Sequence, residues 1–164
     1  MMQITPSSDS HADGRRLAAV CQENSREPTL GQHLLPSDWA ELLPYLQALT
    51  LATSQVLISQ GASDRTVYFV ESGRLSVHYE DSTGRIHLAT VGPGSAVGEG
   101  SFFSHRPRNA TVQAASPSRV WALTPARFAD LASHRPATAL TVALALGGLV
   151  STRTLDRRRR VSVT

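Results

Sequence analysis

At 164 residues the chain is long enough for one domain with appendages and a single core. Its 41% hydrophobic and 18% charged residues are those of a globular protein, which excludes a wholly disordered or fibrous chain. The net charge of +3 is modest, and much of the excess sits in Arg157-Arg158-Arg159-Arg160, so a nucleic-acid surface spread over the whole domain is not expected. One cysteine, Cys21, rules out an intrachain disulfide and points to a reducing, cytoplasmic setting. The apolar run Leu17 to Cys21 is too short for an export signal. No unbroken apolar run reaches the roughly 18–20 residues of a membrane span; the best, residues 139–150, contains Thr141.

In chain order, residues 1–13 are rich in Ser, Asp and Thr and read as disordered. Gly14 to Glu23 is compatible with a short helix, and Asn24 to Leu35 reads as linker, so residues 1–35 form an N-terminal extension. A helix opens at Pro36, with Ser37 as its expected N-cap and Trp39, Leu42, Leu43 and Leu46 on one face. Pro44 ends or tightens it.

From Gln55 the period changes to two. Val56 to Ile58, Val67 to Glu71, Arg74 to Glu80 and a partner strand bearing Ile86 and Leu88 read as strands, with a hairpin turn at Asp81-Ser82-Thr83-Gly84. Ala110 to Ala114 and Val120 to Leu123 complete the set. Short, evenly spaced strands with turn signals argue a sandwich or barrel. Thr124-Pro125 then opens a helix carrying Phe128 and Leu131, and a long helix runs from Pro136 toward Arg157. Its Leu140, Val142, Leu144, Leu146, Leu149 and Val150 cover more than one face, too much for a helix packed on one side. Gly147-Gly148 within it marks a close approach of another helix or a hinge, and a homodimer through this helix is expected. Residues 36–135 thus form the core unit and 136–164 a C-terminal helix with a basic tail.

The chemistry concentrates between the strands, in residues 97–112. Gly98 and Gly100 let the backbone turn sharply and approach a ligand. A helix starting there would offer amides to an anion near Gly100 and Ser101. Glu99 could accept hydrogen bonds from ligand hydroxyls. Arg108, nine positions later, carries a planar fork matched to two oxygens of a phosphate. A carboxylate for hydroxyls with a guanidinium and amides for a phosphate describes a site for a sugar phosphate.

Gly98-Glu99 followed by Pro107-Arg108-x-Ala110-Thr111-Val112 resembles the phosphate-binding cassette of cyclic nucleotide-binding domains. The segment Gly61-x-x-x-Asp64-x-x-Val67-Tyr68-Phe69-Val70-x-x-Gly73-x-Leu75-x-Val77 and the turn Gly92-Pro93-Gly94 are also similar to that family, over roughly residues 36–155. The resemblance implies a jelly-roll-type β-roll (a double-stranded β-helix) flanked by N- and C-terminal helices, mainly β overall. It implies cAMP, or cGMP, as ligand, with Glu99 on the ribose 2′-hydroxyl and Arg108 on the cyclic phosphate. Gly98, Gly100, Ser101, Asn109 and Ala110 complete the implied ligand site. Val77 is a further base contact, and Leu149, Val150 and Arg153 are lid contacts from the long helix. Gly100 replaces the usual leucine or isoleucine. Asn109 replaces the usual small residue at a position that bears on adenine against guanine.

The expected activity is regulatory, without catalysis, a cofactor or a metal, and with an effector protein downstream. The family's bacterial activators carry a helix-turn-helix after the long helix; the sequence ends soon after that helix, so direct DNA binding is not expected. Two rivals remain. One is a scaffold of the same fold that holds a partner protein without nucleotide. The other is a cupin-like metalloenzyme, disfavoured because His11, His33, His78, His87, His105 and His134 include no His-x-His pair, and His78 and His87 are both expected to face away from the apolar side.

Overall fold

The computed structural model describes residues 5–6 and 10–161, with side chains over 14–157. Two antiparallel sheets face each other. One has five strands in the order β1 (Thr5–Pro6), β2 (Gln47–Leu51), β9 (Ser118–Leu123), β4 (Val67–Ser72), β7 (Ala96–Val97). The other has four: β3 (Val56–Ile58), β8 (Thr111–Ala114), β5 (Leu75–Glu80), β6 (Ile86–Val91). The expected β-roll is the observed one.

Alternation along β4 explains why the five-stranded sheet is buried on both sides. Tyr68 and Val70 point into the roll, against Leu75, Val112, Ala114 and Val120. Val67 and Phe69 point outward into a second core built with the helices. Helices α1 (Ser10–Glu23), α2 (Thr29–His33), α3 (Pro36–Leu42), α5 (Pro125–His134) and α6 (Pro136–Val161) cover that outer face.

The N-terminal extension belongs to this helical layer. Asn24 to Leu35, expected as linker, contains α2, and Leu30 and Leu34 are fully buried with Leu17 and Cys21 of α1. At an isolated glance the short α2 has too few apolar residues to show a helical period; its packing on α6 decides it. Of residues 1–13, expected to be disordered, 1–4 and 7–9 lie outside the described residues, whereas Thr5–Pro6 pair with β2 as β1 and residues 10–13 open α1. Strand β2 shows no clean alternation, with Ala48, Leu49 and Leu51 all buried, which is why its period does not reveal it.

Caps follow their chemistry. Thr124 Oγ1 accepts the Arg127 N–H at 3.2 Å, with Pro125 in the first turn of α5. At α3 the expected Ser37 cap is replaced: Leu35 is the N-cap, Pro36 starts the helix, and the Asp38 carboxylate takes the Leu35 N–H at 2.8 Å. Pro44 tightens the chain into a 3-10 turn at Leu43–Tyr45.

In the β5–β6 hairpin the register pairs Tyr79 with His87 and His78 with Leu88. The two histidines therefore lie on opposite faces, not both outside as expected. Their sequence separation is odd, and each strand alternates from a fixed pairing. The His87 ring stacks on Tyr79 at 4.6 Å. Ile86 and Leu88 lie on the outer face and are exposed.

Along α6, Ala139, Val142, Ala145, Leu146 and Leu149 are buried, whereas Leu140 and Leu144 are exposed. The two glycines separate. A Cβ on Gly148 would lie 3.0 Å from the Thr29 side chain, so this glycine admits α2; a Cβ on Gly147 would meet nothing. By length and composition Pro136–Arg157 is apolar enough to cross a membrane, which counting unbroken apolar residues missed. A third of its most apolar stretch is buried against the rest of the fold.

Candidate functional site

A cavity of about 770 Å³ opens between the four-stranded sheet, the β7–α4 turn, residues 24–27 and the last turns of α6. Helix α4 (Glu99–Ser104) begins where the sequence places the cassette. Gly98 is its N-cap at φ +86°, in the left-handed region that favours glycine. A Cβ there would lie 2.6 Å from both Arg108 Nη1 and the Thr66 carbonyl oxygen, so the missing side chain is what lets the guanidinium in. Gly100 is different: a Cβ would meet nothing within 4 Å. On the far side Phe102 packs edge-on to Phe128 of α5, with ring centroids 5.2 Å apart, tying the cassette to the helical layer.

Arg108 is set by its backbone. Its N–H donates to the Ala62 carbonyl and its carbonyl accepts the Gly61 N–H, both at 2.7 Å. The side chain is only 3% exposed. Nε donates to Asp64 Oδ2 at 3.2 Å and Nη2 to Asp64 Oδ1, while Nη2 also donates to the Thr66 carbonyl at 2.6 Å and Nη1 to the Gly98 carbonyl at 3.0 Å. The hydrogen bond from Arg108 holds the Asp64 carboxyl below its ordinary value. The fork expected to face a phosphate is thus turned onto an internal carboxylate.

Glu99 is also engaged. Its Oε1 accepts from Arg153 Nη1 of α6 at 2.7 Å. Arg153 grips Glu27 as well, Nε to Oε1 at 2.8 Å and Nη2 to Oε2 at 3.0 Å, and Nη2 donates to Ser95 Oγ at 2.9 Å. Ser95 Oγ in turn donates to Glu27. Burial works against the Arg153 charge, and the carboxylates of Glu99 and Glu27 outweigh it, holding the guanidinium above its ordinary value. One turn further along α6, Arg157 lies over the Tyr79 ring at 5.7 Å.

Of the residues named from the sequence, Gly98, Glu99, Gly100, Ser101, Arg108, Asn109 and Ala110 all line this cavity, as do Val77, Val150 and Arg153. Leu149 does not. It is fully buried in the helical core, because one residue of rotation on α6 turns it 100° from Val150. Sequence reasoning missed Glu27 and Ser95 and gave Asp64 a place in a spacing but no role. Glu27 lies in the stretch read as linker, and no local signal marks it. Among the described residues no three His, Cys, Asp or Glu side chains group as metal ligands would.

The sequence from residue 48 to 135 matches the family model described as "Cyclic nucleotide-binding domain". The chain belongs to this family. An uncharacterized ABC transporter ATP-binding protein of Mycobacterium tuberculosis is 30% identical over 122 residues, which is 73% of this chain and 37% of that protein. The chain therefore spans little more than a third of the length of that curated relative. Among solved structures, a cyclic nucleotide-binding domain from Methylobacillus flagellatus superposes with a TM-score of 0.82 at 18% identity, over 96% of this chain and 87% of that one. The regulatory domain of Toxoplasma gondii PKA, crystallised with cAMP, gives 0.62 at 25% identity, over 76% and 46% of the two chains. In this cyclic nucleotide-binding domain Gly98, Glu99 and Arg108 lie together on the wall of that cavity of about 770 Å³.

Proposed function

We propose that the chain is a sensor for a cyclic purine nucleotide, cAMP or cGMP, that does no chemistry of its own and signals through α6. The observation that carries this reading is the convergence of Gly98, Glu99 and Arg108 on one cavity beneath the end of α6, with Arg153 joined directly to Glu99. Glu99 receives the ribose 2′-hydroxyl. Arg108 receives the cyclic phosphate by exchanging part of its hold on Asp64. Asn109 and Ala110 lie beside the phosphate, and Val77, Val150 and Arg157 border the space left for the base. Ligand that favours one position of α6 over another shifts a dimer or partner surface by its differential affinity for the two. The PKA regulatory domain crystallised with cAMP supports cAMP as the first ligand to test. Cytoplasmic residence fits the single buried cysteine.

A second reading rests on the same geometry. Both expected anchors are already paired, Arg108 with Asp64 and Glu99 with Arg153. A scaffold that holds a partner protein without nucleotide would have this self-satisfied site. Titration calorimetry with cAMP and cGMP, using Arg108→Ala as control, separates the two. Micromolar or tighter binding lost in the variant establishes the sensor. No heat with either nucleotide, from folded protein stripped of co-purified ligand, establishes the scaffold.

A further inference from the structure

We infer that Arg153 and Glu27 are positioning residues for the ribose acceptor Glu99, so that the N-terminal segment takes part in ligand recognition together with α6. This rests on the proposed nucleotide reading. Arg153 uses four of its five N–H donors on two segments far from it in the sequence: two on Glu27 of the α1–α2 loop, and one each on Ser95 and Glu99. Side-on pairing with Glu27 fixes the plane of the guanidinium, because both ends of the fork are held. The fixed plane then aims Nη1 at Glu99 Oε1.

Only that one oxygen is used. Glu99 Oε2 takes no hydrogen bond among the described residues. A carboxylate has about four acceptor positions, so a ribose hydroxyl can join Glu99 without displacing Arg153. The contact is therefore a support for the acceptor and not a plug in the site.

The fold itself does not require the cluster. The α1–α2 region, residues 95–99 and α6 are already joined by apolar packing through Leu17, Leu30, Ala96 and Leu149, which share one buried core. One cation between two carboxylates, partly desolvated, is a poor way to gain stability. All three charged groups line the cavity instead. Glu27 therefore brings the loop between α1 and α2 to the ribose end of the site, a stretch that lies outside the matched residues 48–135.

The test is a ligand cycle on the full chain. Calorimetry compares whichever of cAMP and cGMP binds more tightly with its 2′-deoxy form, in wild type, Arg153→Met, Arg153→Lys and Glu27→Gln. A hydroxyl donating to a charged acceptor predicts about a tenfold to hundredfold preference for the ribo form in wild type. That preference falls below about threefold in Arg153→Met, is partly kept in Arg153→Lys, and drops severalfold in Glu27→Gln. Equal weakening of both ligands, with the preference intact, marks a merely structural role and overturns the inference alone. If Arg153→Met does not fold, Glu27→Gln decides, since it keeps the cation in place. A wild type that binds neither nucleotide overturns this inference and the sensor reading together.

Discussion

Arg108 and Asp64 form a two-pronged pair in which the arginine is buried and the aspartate side chain is half exposed. The asymmetry makes Asp64 the partner that can leave, while the guanidinium stays on the carbonyls of Gly98 and Thr66. An incoming phosphate meets a neighbouring negative charge as well as a cation. Asp64→Asn removes that repulsion, and one charge about 6 Å away is worth about 1 kcal/mol at an exposed site. The variant is expected to bind cAMP or cGMP about threefold to tenfold more tightly, at a stability cost of about 0–1 kcal/mol for a pair with one exposed member. Weaker binding by calorimetry would show instead that Asp64 aims the fork. Arg108→Ala should cost about 2–5 kcal/mol of binding.

The two cassette glycines should behave oppositely. Gly98→Ala forces a Cβ onto a left-handed backbone and into Arg108 Nη1 and the Thr66 oxygen, and is expected to destabilise by about 2–4 kcal/mol and to abolish nucleotide binding. Gly100→Ala adds a methyl in open space within α4 and replaces a poor helix former, so stability should rise by up to about 1 kcal/mol. Urea unfolding of both variants checks the pair. Equal losses would show that the turn, and not the arginine's approach, makes both positions sensitive.

Much of this site was legible because its residues are close in sequence and chemically distinctive. Gly98-Glu99 and Pro107-Arg108 announce a turn, an acceptor and a fork within eleven residues, and strand alternation on either side places them in a β fold. Asp64, Glu27 and Ser95 carry no such mark. Each is an ordinary surface-type residue made special by where β4 and β7 begin and where the α1–α2 loop runs, and a contact between residues 27 and 153 is invisible to any local period. Helix α2 is hidden for the same reason, although α1, α3, α5 and α6 are legible. Leu30 and Leu34 look like isolated leucines in a linker until α6 supplies the surface that buries them. Val150 on the cavity wall and Leu149 in the core differ by one residue of helical phase, which composition alone does not fix.

Cys21 offers a probe of opening in the helical layer. Its side chain is 1% exposed, and burial pushes the thiol from about 9.0 up to about 12. The native fold therefore favours the neutral thiol. That contribution is fully present below pH 9 and is lost as pH rises from 9 toward 12, where the unfolded chain ionises first. Aromatic disulfide reagents should label the protein at pH 8 only through opening, many times more slowly than in urea. Immediate labelling of native protein would show that α1 and α2 are not held on the sheet. A saturating ligand that engages Glu99 should slow labelling further if residues 24–27 are tied to the site.

The exposed face of α6 makes the last prediction. Leu140, Leu144, Gly147, Ser151 and Leu155 recur at helical spacings of four, three, four and four, within about 80° of one another. The three leucines are more than half exposed, and a Cβ on Gly147 meets nothing, so an apolar stripe with a small residue at its centre faces outward. Such a stripe favours close helix-to-helix contact, and wild type is expected to sediment as a dimer. Leu144→Glu should give a monomer while changing intrachain stability by no more than about 0.5 kcal/mol, since the side chain touches no core. Because Arg153 and Arg157 lie on the same helix as the stripe, nucleotide should also alter hydrogen exchange of residues 136–155. A monomeric wild type would mean that the stripe serves another partner. A dimer whose exchange ignores bound nucleotide would separate assembly from sensing and leave α6 without the relay role assigned to it.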